Sequence, residues 1–147
     1  MRTILKVGLA VISDGRILLV RKRGGEHLIL PGGKPEGDEN DIETLERELA
    51  EELGCGVERG SLIFSGCFGD QAAGLNATRV SVRLYTGSLE GTPRPLSEIE
   101  ELYWHPVRKS DDPVLAPSLR NFILPALAQS QAAAGNEVGE RPRQFID

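Results

Sequence analysis

The stretch PGGKPEGDENDIETLERELAEELGC, residues 31–55, decides how the rest of the chain is read. Its second half predicts a helix over about 41–53. Asn40 is placed to cap the N-terminus, Glu43 three residues later completes a capping box, and Gly54 is a stop signal. At about 100° per residue, Ile42, Leu45, Leu49 and Leu53 form one apolar stripe, so that face packs against other structure. Glu48, Glu51 and Glu52, spaced i, i+3 and i+4, project from one side within an arc of about 100°. Like charges at that spacing repel by roughly 0.2–0.5 kcal/mol per pair. Glu51 and Glu52 also lie in the last turn, where the helix dipole favours cations. A bound divalent cation would reverse both effects, and hard cations choose carboxylate oxygens. The helix alone leaves a second reading open: a solvated acidic face, with Arg47 paired to Glu43 and Glu51. The preceding loop adds Gly32 and Gly33, which let the backbone come close to a ligand and offer a carbonyl as a further oxygen ligand.

Working outward, residues 4–13 and 16–23 are apolar and β-branched, and Asp14-Gly15 between them signals a hairpin. His27–Leu30 is a brief apolar run. Residues 61–68, 78–86 and 102–107 read as strands, and Ser97–Glu100 as the start of a short helical turn. A second helix is expected over 114–129, kinked or ended by Pro125. Strands mixed with two helices predict an α/β protein with helices packed on a mixed sheet. The expected organisation is one domain over residues 1–131 and a mobile Gly-, Glu- and Arg-rich tail over 132–147.

Composition narrows the function classes. With 39% hydrophobic and 27% charged residues the balance is that of a soluble globular domain. A net charge of −5 gives no global attraction for nucleic acid or an anionic membrane, so anionic ligands need local cations. No apolar run approaches the roughly 20 residues of a membrane span, and Lys6 interrupts the N-terminal one. Cys55 and Cys67 have neither a CxxC pattern nor a His at ligand spacing, and read as reduced thiols in a cytoplasmic protein.

The 31–55 segment resembles the Nudix box: Gly, five residues, Glu, seven residues, then Arg-Glu-apolar-any-Glu-Glu-any-Gly-apolar. Here those positions hold Gly33, Glu39, Arg47, Glu48, Leu49, Glu51, Glu52, Gly54 and Cys55. All seven fixed letters are in register, a chance match on the order of one in a million at average residue usage. Cys55 replaces the usual aliphatic residue, and a buried thiol is a small hydrophobe.

The resemblance implies an α/β/α sandwich with a mixed sheet and a pyrophosphohydrolase dependent on Mg²⁺, with Mn²⁺ as an alternative. It makes Glu51 and Glu52 the principal metal ligands and Glu48 a further ligand or the base. Gly33 offers its carbonyl, Arg47 orients the carboxylates, and Glu39 supports the site or contacts metal. Such enzymes recruit a carboxylate from a later loop, for which Glu98 is the candidate and Glu100 and Glu101 are rivals. Arg21, Lys22 and Arg23 could reach a distal phosphate, with Arg21 and Arg23 as the expected contacts; an edge-strand solubility role is the alternative. Trp104 is expected in the core, and His27 and His105 in structural or solvent-facing positions. The expected partner is a nucleotide-type small molecule, with no nucleic acid and no membrane, and a homodimer as an assembly to test. Family marks for ADP-ribose, dinucleoside polyphosphates, coenzyme A and NADH are absent, which favours a nucleoside triphosphate. The rivals are a non-catalytic Nudix-like nucleotide-binding or regulatory module, although no box carboxylate is missing, and an isomerase of the isopentenyl diphosphate type.

Overall fold

In a computed structural model of the chain, which describes residues 2–73 and 76–138, helix α1 (Asp41–Leu53) has the ends its sequence dictates. The Glu43 N–H donates to Asn40 Oδ1 at 2.8 Å and the Asn40 N–H to Glu43 Oε1 at 3.0 Å. Gly54 ends the helix at φ 68°, in the left-handed region that glycine tolerates. The strands are β1 (Arg2–Ala10), β2 (Ile12–Ser13), β3 (Arg16–Lys22), β4 (Gly32–Gly33), β5 (Gly56–Val57), β6 (Ile63–Gln71), β7 (Thr78–Thr86), β8 (Leu89–Glu90) and β9 (Ile99–Pro106).

They form a sheet in the order β4-β1-β7-β6, a second in the order β2-β3-β9, and the small pair β5-β8. The larger sheet is mixed: β1 runs parallel to β7 and antiparallel to β4, and β6 is antiparallel to β7. The Ile17–Val20 run is continuously apolar because β3 is buried on both faces. Leu18 and Val20 join Val7, Leu9, Leu45, Leu49 and Leu53 beneath α1. Ile17 and Leu19 join Val82, Leu84, Leu119, Ile123 and Leu124 on the other side. The result is the expected α/β/α arrangement, with a core on each face of the strands.

The second helix differs from expectation at both ends. Pro117 keeps Ala116 out of the helical region, and the Ala116 N–H donates to the Leu28 carbonyl instead, at 3.0 Å. A π-helical turn (Leu119–Ile123) comes first, and α2 (Leu124–Val138) follows. Pro125 does not end the helix: it lies inside the continuous helical run 117–138, directly after the widened turn. A proline inside the ladder lacks a donor and crowds the preceding carbonyls, and the wider π turn before it makes room for both. Helix α2 runs through residue 138, so the expected tail begins as helix; residues 139–147 lie outside the described residues.

Two further expectations are corrected. Ser97–Glu100 is a tight turn, with Ser97 at φ 53°, and β9 already begins at Ile99. Trp104 is 36% exposed rather than buried, because its neighbour in the β9 alternation, His105, takes the inward position. Both cysteines are free thiols, Cys55 buried and Cys67 exposed. No helix among the described residues is long and apolar enough to cross a membrane.

Candidate active site

The site begins where α1 meets β4. A Cβ on Gly32 would strike the Val7 carbonyl, and one on Gly33 would fall on the Glu48 carboxylate. Gly33 is therefore a glycine because Glu48 occupies the space a side chain would need. The Gly32 N–H donates to Glu52 Oε1 at 3.2 Å. Two of the three helix carboxylates are thus drawn against the Pro-Gly-Gly turn.

Glu52 is 3% exposed and has no ion-pair partner among the described residues. Burial pushes its carboxyl up to about 7; the Gly32 N–H opposes that shift and Glu48 adds to it. Glu51, by contrast, has 55% of its side chain exposed. Burying a carboxylate without a cation costs several kcal/mol, on the order of 1–3 even after partial compensation. The sequence tolerates this at Glu52 and avoids it at Glu51.

Arg47 ties the remaining acids together. Its Nε donates to Glu39 Oε2 at 2.6 Å and its Nη2 to Glu39 Oε1 at 3.0 Å, a bidentate pair. The same Nη2 reaches the Lys34 carbonyl at 3.0 Å, while Nη1 reaches Glu48 Oε2 at 3.1 Å and Glu51 Oε1 at 3.5 Å. The Arg47 bond, helped by backbone and Thr44 hydrogen bonds, holds the Glu39 carboxyl down at about 2. Arg47 in turn is pushed up, chiefly by Glu39. Among the described residues, no three His, Cys, Asp or Glu side chains close around one point as they stand. One Glu48 oxygen is engaged by Arg47 and Glu51 extends outward, so closure requires those side chains to turn. The donors present are nonetheless the right kind for a hard divalent ion: carboxylate oxygens of Glu48, Glu51 and Glu52 beside the glycine cradle. Glu52 is a buried carboxyl with no ion-pair partner among the described residues, and its burial disfavours the charged form.

This corner opens into a cavity of about 1090 Å³. One part of its wall is charged, with Lys6, Lys22, Lys34, Glu48 and Glu98. Another is aliphatic, including Ile4, Leu30, Ala72, Ala73, Val80 and Leu119. Glu98 lies in the wall, 3.4 Å from Lys22 Nζ, whereas Glu100 and Glu101 pair with Arg21. Arg21 and Arg23 do not line the cavity. Arg21 bonds Glu101 at 2.6 Å, and Arg23 Nη1 donates to the Ser97 carbonyl at 3.2 Å. The strand alternation that turns these two outward turns Lys22 in. His27 lines the cavity, while His105 is buried with Nε2 2.6 Å from the Lys109 carbonyl.

Sequence reasoning missed Lys6. Burial pushes its ammonium down, and Lys22 adds to that shift. Its signal was available: a lysine interrupting an otherwise apolar strand.

Comparison with known proteins identifies the family of this fold. A family model described as NUDIX domain matches residues 3–124. The chain is similar to a MutT NUDIX hydrolase from Burkholderia pseudomallei, at 26% identity and TM-score 0.67 over 82% of this chain and 95% of that one. It is similar to the ORF135 protein of E. coli, at 26% identity and TM-score 0.66 over 90% and 94%. A MutT protein from Methanosarcina mazei Go1 shares the fold, at 22% identity and TM-score 0.72 over 88% and 96%. Comparison with curated proteins gives no significant match. The chain belongs to the NUDIX domain family, as a pyrophosphohydrolase of the Nudix class that acts on nucleoside diphosphate derivatives.

Proposed function

We propose that the protein hydrolyses a nucleoside triphosphate to a nucleoside monophosphate and pyrophosphate, with Mg²⁺ or Mn²⁺ held by the acidic face of α1. The observation that carries this reading is Glu52, a buried carboxyl without an ion-pair partner among the described residues, held by the Gly32 N–H behind the corner where Gly33 and Glu48 line the cavity. Glu51 and Glu52 would hold the ion, with the Gly33 carbonyl and Glu48 as further oxygens. When bound, the ion neutralises charge on the phosphate chain and makes the attacking water more acidic. The base in this reading is Glu48, supported by its bond from Arg47, which Glu39 holds in turn. Glu98 stands in the cavity wall as an additional carboxylate. Lys22 and Lys34 offer cations to the phosphates, and the aliphatic wall offers an apolar seat for the base. Positioning and electrostatic stabilisation are the main contributions such a site makes.

A turnover screen of nucleoside triphosphates, sugar nucleotides and dinucleotides, with products identified, tests the reading. The expected result is monophosphate and pyrophosphate from a triphosphate, abolished by EDTA and restored by Mg²⁺ or Mn²⁺. Full activity in chelator would contradict the metal requirement. Cleavage of only sugar nucleotides or dinucleotides would reassign the substrate.

A further inference from the structure

We propose that Lys6 is a substrate-positioning residue, whose ammonium binds non-bridging oxygens of the phosphate chain from the β1 wall of the cavity. The proposal rests on the pyrophosphohydrolase reading above and adds to it a residue outside the box. Strand alternation puts Ile4, Lys6 and Gly8 on one face of β1, and all three line the cavity. Their neighbours on β7 are set by the parallel register, Ile4 beside Val80 and Lys6 beside Val82, and both valines line the cavity too. The opposite face of β1 carries Val7 and Leu9 under α1. On this β1–β7 stretch of the wall Lys6 is flanked by Ile4, Gly8, Val80 and Val82, and its ammonium lies within the influence of the charged part formed by Lys22, Lys34 and Glu48. A strand that needed only to pack would place an aliphatic residue there.

The charge of Lys6 is not spent within the protein. Among the described residues it makes no ion pair and no side-chain hydrogen bond. Every fully enclosed side-chain nitrogen or oxygen among them has a partner, so the Lys6 ammonium opens into the cavity. Glu48 and Glu52 are near enough to influence it without pairing, and Lys22 and Lys34 repel it. Lys22 differs, because its ammonium already meets Glu98 at 3.4 Å. A lysine held beside two other cations and short of a salt bridge weakens the unliganded fold. An anionic phosphate chain in the cavity relieves that repulsion, and a lysine is a mobile point charge suited to it.

Three measurements on Lys6→Met and Lys6→Arg test the assignment, with melting curves verifying that each variant folds. In Lys6→Met, KM for the hydrolysed nucleotide should rise about ten- to a hundredfold, the range of a charge-assisted hydrogen bond, with kcat within about threefold. Lys6→Arg should recover most of the loss. By calorimetry, Lys6→Met should weaken binding of inorganic pyrophosphate, while Mg²⁺ alone binds as tightly or more tightly because a nearby positive charge is gone. A structural role predicts weaker binding of both probes and no rescue by arginine. Unchanged pyrophosphate affinity and KM would overturn the proposal. If the wild type turns over no nucleotide, the functional reading fails, and the pyrophosphate titration still decides whether Lys6 binds phosphate.

Discussion

The acidic corner at α1 and the basic side of the cavity next to it are built in different ways. Arg47, Glu48, Glu51 and Glu52 come from one helix, where periodicity alone places them together, and Gly33 joins them from β4, upstream of the helix. The lysines come from three places: Lys6 from β1, Lys22 from the end of β3, and Lys34 from just after β4. Strand alternation and the pairing of β1 with β4 bring Lys6 and Lys34 to one cavity, and Lys22 reaches it from β3 in the other sheet. The acidic part is thus local in sequence and can be read there. The basic part is a product of topology. If that division is right, substitutions on the two sides differ in kind: the acids govern the chemical step and the lysines govern binding.

The largest effect belongs to the acidic part. Glu48→Gln should lower kcat by on the order of 10²–10⁴, the range supplied by general acid–base catalysis, while the melting temperature holds. Near-normal kcat with intact metal dependence would remove Glu48 from the chemistry. On the basic side the test is a contrast between neighbours. Lys22→Met should raise KM by about ten- to a hundredfold. Arg21→Met and Arg23→Met should leave KM within about twofold, since Arg21 and Arg23 bond Glu101 and the Ser97 carbonyl outside the cavity. Equal losses from all three would mean that the strand end rearranges around substrate.

That contrast also marks how far the sequence could be read. The bounds of α1, its caps and the Leu45, Leu49 and Leu53 part of its stripe were legible because each rests on residues within one or two turns, whereas Ile42 stays outside the core. The outward turn of Arg21 and the inward turn of Lys22 were not, because they depend on the β3–β9 register, which shifts between those two residues. Glu98 could not be separated from Glu100 and Glu101 until the turn at Ser97 fixed where β9 begins. The late start of α2 was readable in principle from Pro117, whose effect on Ala116 is local. The exposure of Trp104 was not, since it depends on which face of β9 is covered.

A smaller effect appears in pH dependence. Glu52 is pushed up to about 7 in the fold against 4.5 for a free carboxyl, so the folded chain keeps a proton that the unfolded chain has lost. Metal-free stability contributed at this site therefore falls as pH rises from about 4.5 through about 7. Glu39, held down at about 2, acts in the opposite sense, and its contribution is lost as pH falls below about 4.5. Because Mg²⁺ competes with the Glu52 proton, the gain in melting temperature from Mg²⁺ should grow between about pH 5 and 8. In Glu52→Gln that growth should vanish. A Mg²⁺ effect flat across this window would show that Glu52 is not a ligand.

The central claim is that the α1 acids are organised to take a divalent ion rather than to face solvent. The most direct test needs no substrate: melting curves in MgCl₂ and in NaCl at matched ionic strength. Salt of either kind screens repulsion among the acids. A specific site adds RT ln(1 + [L]/Kd), about 1.4 kcal/mol at tenfold Kd, for Mg²⁺ alone. The account predicts a larger melting shift in MgCl₂, with the excess lost in Glu51→Gln/Glu52→Gln. Equal shifts in the two salts would contradict it and leave α1 a solvated acidic helix.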